Sequence, residues 1–200
     1  MMKSICVLAR RGDTSREAFH TYYENNHAPL ALRYFPFSRY VRNHLMDGAD
    51  LGFDTISEFW AKDTTALAAL MQGPVGEILR EDERRFMDQS KTAPASAREQ
   101  VFSPGVIREQ RFALLLNWTD EAEMIVDWAA RMGDNTPGVY IDFVTSWRTP
   151  AFPARAVLWT PDIDDLPDSI PGLTIRALRV RSCETAPAAP NQGAARGDVQ

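Results

Sequence analysis

The order of apolar segments constrains this chain most. From the N-terminus it reads strand, helix, strand, strand, helix, strand, and from Gln110 a similar order starts again. Met2 to Leu8 is a short apolar run free of Gly and Pro, as a strand requires. Arg10-Arg11-Gly12-Asp13 supplies turn chemistry, and Thr14 or Ser15 followed by Glu17 marks a helix start. Phe19, Tyr22, Tyr23 and Asn26 recur at helical spacing. Pro29 disfavours the α region at Ala28, so the spacing predicts a break around Asn26-His27 and a restart at Pro29. Arg39 to Met46 alternates as a strand, with Tyr40, Arg42, His44 and Met46 on one face and Val41, Asn43 and Leu45 on the other. Asp47 to Asp50 forms a turn and Phe53 to Ala61 the next strand. Asp63-Thr64-Thr65 then caps a helix that Gly73-Pro74 interrupts and that continues to about Asp88. A weaker strand is expected around Arg98 to Val106.

The second pass gives strands at Phe112–Trp118, Gly138–Trp147, Arg155–Trp159 and Leu173–Cys183. A helix is expected after a Thr119-Asp120-Glu121 cap, and the Pro-broken stretch Pro161–Pro167 is too short for a full second one. The expected organisation is a unit at 1–104 that carries the site, a degenerate second ferredoxin-like unit at 105–184, and a disordered tail at 185–200 rich in Ala, Pro, Gly and Asn.

Several function classes fall away. A net charge of −5 without a basic block is the wrong electrostatics for nucleic acid. No apolar run reaches the roughly 20 residues that span a bilayer, and the apolar start is too short for a secretory signal. Cys6 and Cys183 make neither a disulfide framework nor a zinc motif, so a reducing cytoplasm is the expected compartment, with no metal. There is no P-loop, no dinucleotide fingerprint, no G-x-S-x-G and no C-x-x-C.

All three histidines and four of the five tyrosines lie in the first half, while the second half holds Trp118, Trp128, Trp147 and Trp159. The first half therefore reads as chemically equipped and the second as packing. His27, at the helix break, could reach into a cavity and exchange protons near neutral pH, or could bond a local carbonyl. Tyr23, one turn earlier, could orient a substrate or hydrogen-bond His27, or be a core aromatic. Tyr40 and His44 share a strand face that lines a pocket or packs on helices. Arg33 could meet a substrate carboxylate or lie at the surface. His20 reads as exposed, its spacing to His27 being a weak metal signal; Asp54 and Glu58 share one strand face and could hold a general acid or, as is commoner, lie exposed. The run Glu81-Asp82-Glu83-Arg84-Arg85 reads as a solvated helix face.

The segment Phe19-His20-Thr21-Tyr22-Tyr23-Glu24-Asn25-Asn26-His27-Ala28-Pro29-Leu30 resembles the EthD-like motif F-x-x-Y-[YW]-E-x-x-H-A-P-L. Arg39-Tyr40-Val41-Arg42-Asn43 resembles that family's R-Y-V-x-N strand, and Asp54 to Trp60 its D-x-I-x-E-x-W strand. The resemblance covers about residues 3 to 104. It implies an α+β fold: tandem ferredoxin-like units forming a dimeric α+β barrel-type pseudo-dimer with antiparallel sheets, the second half supplying the partner sheet. It further implies a lyase or isomerase (dehydratase, decarboxylase or cyclase type) that needs no organic cofactor. The substrate would be a small hydrophobic aromatic or polyketide-like molecule. His27 and Tyr23 would be catalytic, and Tyr40, His44, Arg33 and Trp60 would bind substrate. A binding or accessory protein and a cofactor-free monooxygenase are the alternatives, and a homodimer is compatible with the resemblance.

Overall fold

The computed structural model describes residues 1–46, 50–119, 123–164, 166 and 171–185. Eight strands alternate with five α-helices: β1 (Met2–Leu8), α1 (Arg16–Tyr22), α2 (Ala28–Tyr34), β2 (Arg39–Leu45), β3 (Thr55–Ala61), α3 (Thr64–Gln72), α4 (Pro74–Glu83), β4 (Ala93–Val101), β5 (Gln110–Trp118), α5 (Glu123–Asn135), β6 (Tyr140–Ser146), β7 (Ala156–Thr160) and β8 (Leu173–Thr185). The turn expected at 47–50, the cap at 119–121 and the tail at 185–200 fall wholly or largely outside the described residues; in the Pro-broken stretch at 161–167, residues 161–164 and 166 are described and none of them is helical.

All the strand pairs are antiparallel, and they close into one barrel in the order β1-β3-β2-β8-β5-β7-β6-β4. Within the first four strands the order is 4-1-3-2. Within the last four it is 8-5-7-6, the same order once renumbered. Each quartet is thus a ferredoxin-like sheet, and the two join through β2–β8 and β4–β6, related by a pseudo-twofold. This is the α+β, tandem-unit barrel that the resemblance implied. Closure also leaves no free sheet edge among these strands.

Side-chain alternation separates two environments. One face of every strand turns inward, and Ile5, Leu45, Ile56, Ala95, Leu115, Tyr140, Val157, Trp159 and Val180 fill the interior. The other face of the first quartet packs beneath α1 and α2 through Cys6, Leu8, Phe19, Tyr23, Tyr40 and Phe86. The outer face of the second quartet is covered by α5 through Ile125, Trp128 and Met132.

Two local expectations are corrected. The fourth strand runs Ala93–Val101, about five residues earlier than the polar character of Ser90 to Ser96 suggested. Ala93 and Ala95 point inward, and these small side chains leave room for the bulky aromatics opposite. The helix also does not break at Asn26-His27. It runs on through a wider π turn, Tyr23–His27, in which the Ala28 N–H donates to the Tyr23 carbonyl five residues back. Pro29 has no N–H to give, and its ring would strike the carbonyl of the preceding turn. Widening the helix by one residue accommodates it without ending the helix. At Gly73 the break does occur, and there the backbone is extended. Gly76 is held close to this corner, because a Cβ there would overlap the Met71 carbonyl.

Candidate active site

The π turn decides which side chains meet the sheet. Ser15 caps α1 by accepting from the Ala18 N–H at 3.1 Å, which fixes where the helix starts. Phe19 and Tyr23, four residues apart, then share its buried face. The widened turn brings Tyr23, Glu24 and His27 to partners on β2, β3 and α4.

His27 is 7% exposed, and its Nδ1 lies 2.9 Å from Asp82 Oδ2 on α4. The Tyr22 hydroxyl donates to the other oxygen, Oδ1, at 2.7 Å. Burial pushes the Asp82 carboxyl up, but the bonds from His27 and Tyr22 outweigh it and hold the group below its ordinary range. An ionised carboxylate can only accept, so Nδ1 carries a proton, and the neutral tautomer this selects is the one with a lone pair on Nε2. Among the described residues no group hydrogen-bonds Nε2. Asp82, expected on a solvated face, is instead 8% exposed and the orienting partner of His27.

Tyr23 does not bond His27; their rings are tilted against each other with centroids 5.3 Å apart. Its hydroxyl accepts from Tyr40 at 2.7 Å and lies 2.9 Å from Ser57 Oγ. With the Tyr40 proton already directed at it, Tyr23 donates onward to Ser57. Both phenols are fully buried, and burial raises both above their usual value.

His44 is fixed at both nitrogens, with Nδ1 2.8 Å from Thr55 Oγ1 and Nε2 2.6 Å from Glu24 Oε1. Glu24 also accepts from Arg42 Nε at 3.0 Å and Nη2 at 2.6 Å. Burial disfavours the Glu24 charge, yet His44 and Arg42 prevail and bring the group down to about 2. His20 is half-buried rather than exposed. Its ring centroid lies 4.3 Å from that of His44, and its Nε2 is 3.2 Å from the Asp54 carbonyl. Burial, with the charge of His44, takes it down to about 4. Asp54 is buried as well, held by Arg10 and by Arg16 Nε at 2.9 Å.

Tyr23, His27, Tyr40 and His44 therefore come together. Arg33 and Trp60 do not join them: Arg33 is exposed on α2, and Trp60 faces the barrel interior. A surface depression of about 490 Å³ between Arg11, Asp13, Arg84 and Asp88 contains none of the cluster.

The interior holds a second polar cluster, centred on Glu58, which was expected at the surface and is instead fully buried. Lys3 Nζ lies 2.8 Å from Glu58, 2.6 Å from Glu99 and 2.7 Å from Asp142. Arg111 binds Glu58, Tyr140 and Asn43, the last at 2.8 Å, and lies over the Trp159 ring at 4.1 Å. Tyr140 donates to Glu58 at 2.9 Å and Trp159 Nε1 to Asp142 at 2.8 Å. Burial raises Glu58, but Lys3 and Arg111 overcome this and hold it below the usual carboxylate range; burial leaves Asp142 raised above it. Both quartets contribute, so this cluster joins the halves across the barrel.

Residues 11–90 match the family model of the EthD domain. Among solved structures the chain resembles one provisionally assigned as a chlorite dismutase (12% identity over 92% of this chain and 95% of that one, TM-score 0.52). A second, from Lactobacillus acidophilus NCFM, is provisionally assigned as a monooxygenase (11%, 89% and 93%, TM-score 0.51). A third is an anthrone oxidase-like protein (9%, 92% and 93%, TM-score 0.51). At these identities the likeness shows a shared fold. No curated protein sequence matches the chain. Among the described residues, no helix is long and apolar enough to cross a membrane.

Proposed function

We propose that this chain, whose residues 11–90 form an EthD domain, moves protons on a small hydrophobic aromatic or polyketide-like substrate as a lyase or isomerase, with His27 as the general base. The observation that carries the reading is the bond from His27 Nδ1 to Asp82. It fixes the tautomer that leaves Nε2 basic, and it stabilises the imidazolium formed when Nε2 takes a proton. The Tyr40–Tyr23–Ser57 chain, a few ångströms away on the same face, would orient a substrate carbonyl or phenol. His44, tied to Glu24 and Thr55, would form a wall of the site, while Arg33 and Trp60 take no part.

Residues 1–104 serve in this reading as the unit that holds the site, and 105–184 as the unit that closes the barrel. Tyr23, Tyr40 and His44 are each 1% exposed, so substrate enters only when the helical layer over them opens. The test is turnover of a panel of aromatic ketones and phenols by wild type and His27→Ala. Activity in wild type that the variant loses supports the reading.

A second reading, cofactor-free oxygenation, is favoured by the names of the structures that share the fold. The same base would remove a C–H proton and leave a carbanion for dioxygen to attack. Stoichiometric dioxygen uptake with anthrone as the probe would select it over the lyase or isomerase reading.

A further inference from the structure

On the outer face of the first sheet, three groups of unlike chemistry converge from distant parts of the sequence. A carboxylate oxygen of Glu24 in the π turn, a ring nitrogen of His44 on β2 and Sγ of Cys183 on β8 all lie within 4.8 Å of one another. No local motif brings them together. They meet because β8 pairs with β2 in the register that sets Cys183 opposite Arg42 and Arg181 opposite His44, so the site exists only when the barrel is closed.

We propose that Glu24, His44 and Cys183 form a binding site for one zinc-class divalent ion, with a fourth position open to solvent or a small ligand. The donor set is the first reason. Imidazole nitrogen, thiolate sulfur and carboxylate oxygen together suit a borderline-soft, tetrahedral ion, whereas calcium and magnesium take oxygen donors. The surroundings are the second. His44 Nδ1 is bonded to Thr55 Oγ1 at 2.8 Å, which aims Nε2 at the site. Glu24 accepts from two nitrogens of Arg42, which holds its carboxylate in place. Ligands of catalytic and structural zinc are oriented by such outer contacts.

The 2.6 Å from His44 Nε2 to Glu24 Oε1 is a hydrogen-bond distance. Two ligands of one ion, each about 2.0–2.2 Å from it, stand farther apart than that. The ion-free site therefore holds a proton where the ion would sit. Binding would shift that proton to Nδ1, which would then donate to Thr55 Oγ1, and would release the Cys183 thiol proton. Arg42 and Arg181 bring positive charge to the site that opposes the ion, while the neutral His20 ring lies tilted against His44 with centroids 4.3 Å apart. Glu24 and the Cys183 thiolate, both anionic when ligating, neutralise the ion's own two charges.

The test uses the full chain, free of any affinity tag and stripped of metal. Zinc is titrated against a chromophoric chelator, and cobalt is added as a spectroscopic substitute. The expected result is one ion per chain, with the near-ultraviolet band of a thiolate–cobalt bond and the intense visible bands of four-coordinate cobalt. Cys183→Ser should remove the thiolate band and weaken zinc binding. Thr55→Val, which keeps the β-branched shape, should weaken zinc by about 10- to 100-fold. Cys6→Ser, at the other thiol, should change neither readout. No binding at micromolar zinc, a cobalt spectrum without the thiolate band, or unaltered affinity in Cys183→Ser would each overturn the proposal.

Discussion

Asp82 Oδ2 lies 2.9 Å from His27 Nδ1 and joins α4 to the π turn across 55 positions of the chain. The same carboxylate takes the Tyr22 hydroxyl on its other oxygen, so both of its acceptors are committed to the helix that carries the base. Asp82→Asn should reverse the imidazole tautomer, because an amide N–H donates to Nδ1 and leaves the proton on Nε2. Turnover should then fall by about 10²- to 10⁴-fold, the range of general acid–base catalysis, with the fold retained. Steady-state kinetics beside circular dichroism check this, and an Asp82→Asn variant of wild-type activity would refute the dyad.

Tyr40→Phe removes one buried donor, the bond to the Tyr23 hydroxyl. A loss of about 0.5–1.5 kcal/mol is expected from urea unfolding. KM should rise more than kcat falls if Tyr40 orients the substrate.

Glu58 is enclosed by Lys3, Arg111, Asn43 and Tyr140. Glu58→Ala would leave two buried cations short of their carboxylate. A cost of roughly 3–5 kcal/mol follows, more than a surface ion pair gives. Thermal unfolding of Glu58→Ala, with exposed Glu81→Ala as the control, measures the difference.

Acid should weaken the fold before the carboxylates titrate. In the unfolded chain His20 takes a proton near pH 6.5, whereas in the fold it does so only at about 4. His44 is also depressed, chiefly by burial. Between those values the unfolded state binds more protons, so stability falls as pH drops. The contribution is complete above pH 6.5 and lost as pH falls through about 4. Urea midpoints at pH 7.5, 6 and 4.5 should decline in wild type and decline less in His20→Gln. Equal slopes would contradict the burial of His20.

Much of the barrel was legible because period-2 alternation and Gly or Pro punctuation mark most strands directly. The strand at Ala93 was not, since alternating alanines carry almost no hydrophobic contrast. Asp82 was missed by reading Glu81 to Arg85 as a charge run. Its signal lay in the spacing: it falls three residues after Leu79 and four before Phe86, both buried, which places it on the apolar face of α4. Lys3, Glu58 and Arg111 carry the same signal. Each stands in phase with inward apolar residues, as in Lys3-x-Ile5-x-Val7 and Arg111-x-Ala113-x-Leu115, so each needed a buried partner. That the partners lie in the other half could not be read from one strand, because barrel closure decides it. The motif points to His27 but places it at a helix break, where the chain widens into a π turn instead.

The central claim is that His27 Nε2 accepts a substrate proton. The most direct measurement follows loss of an acidic C–H signal by NMR in D₂O, for aromatic ketones incubated with wild type, His27→Ala and Asp82→Asn. Exchange catalysed by wild type, slowed by at least about 10²-fold in His27→Ala and slowed also in Asp82→Asn, is the predicted result. Undiminished exchange in a folded His27→Ala variant would contradict it.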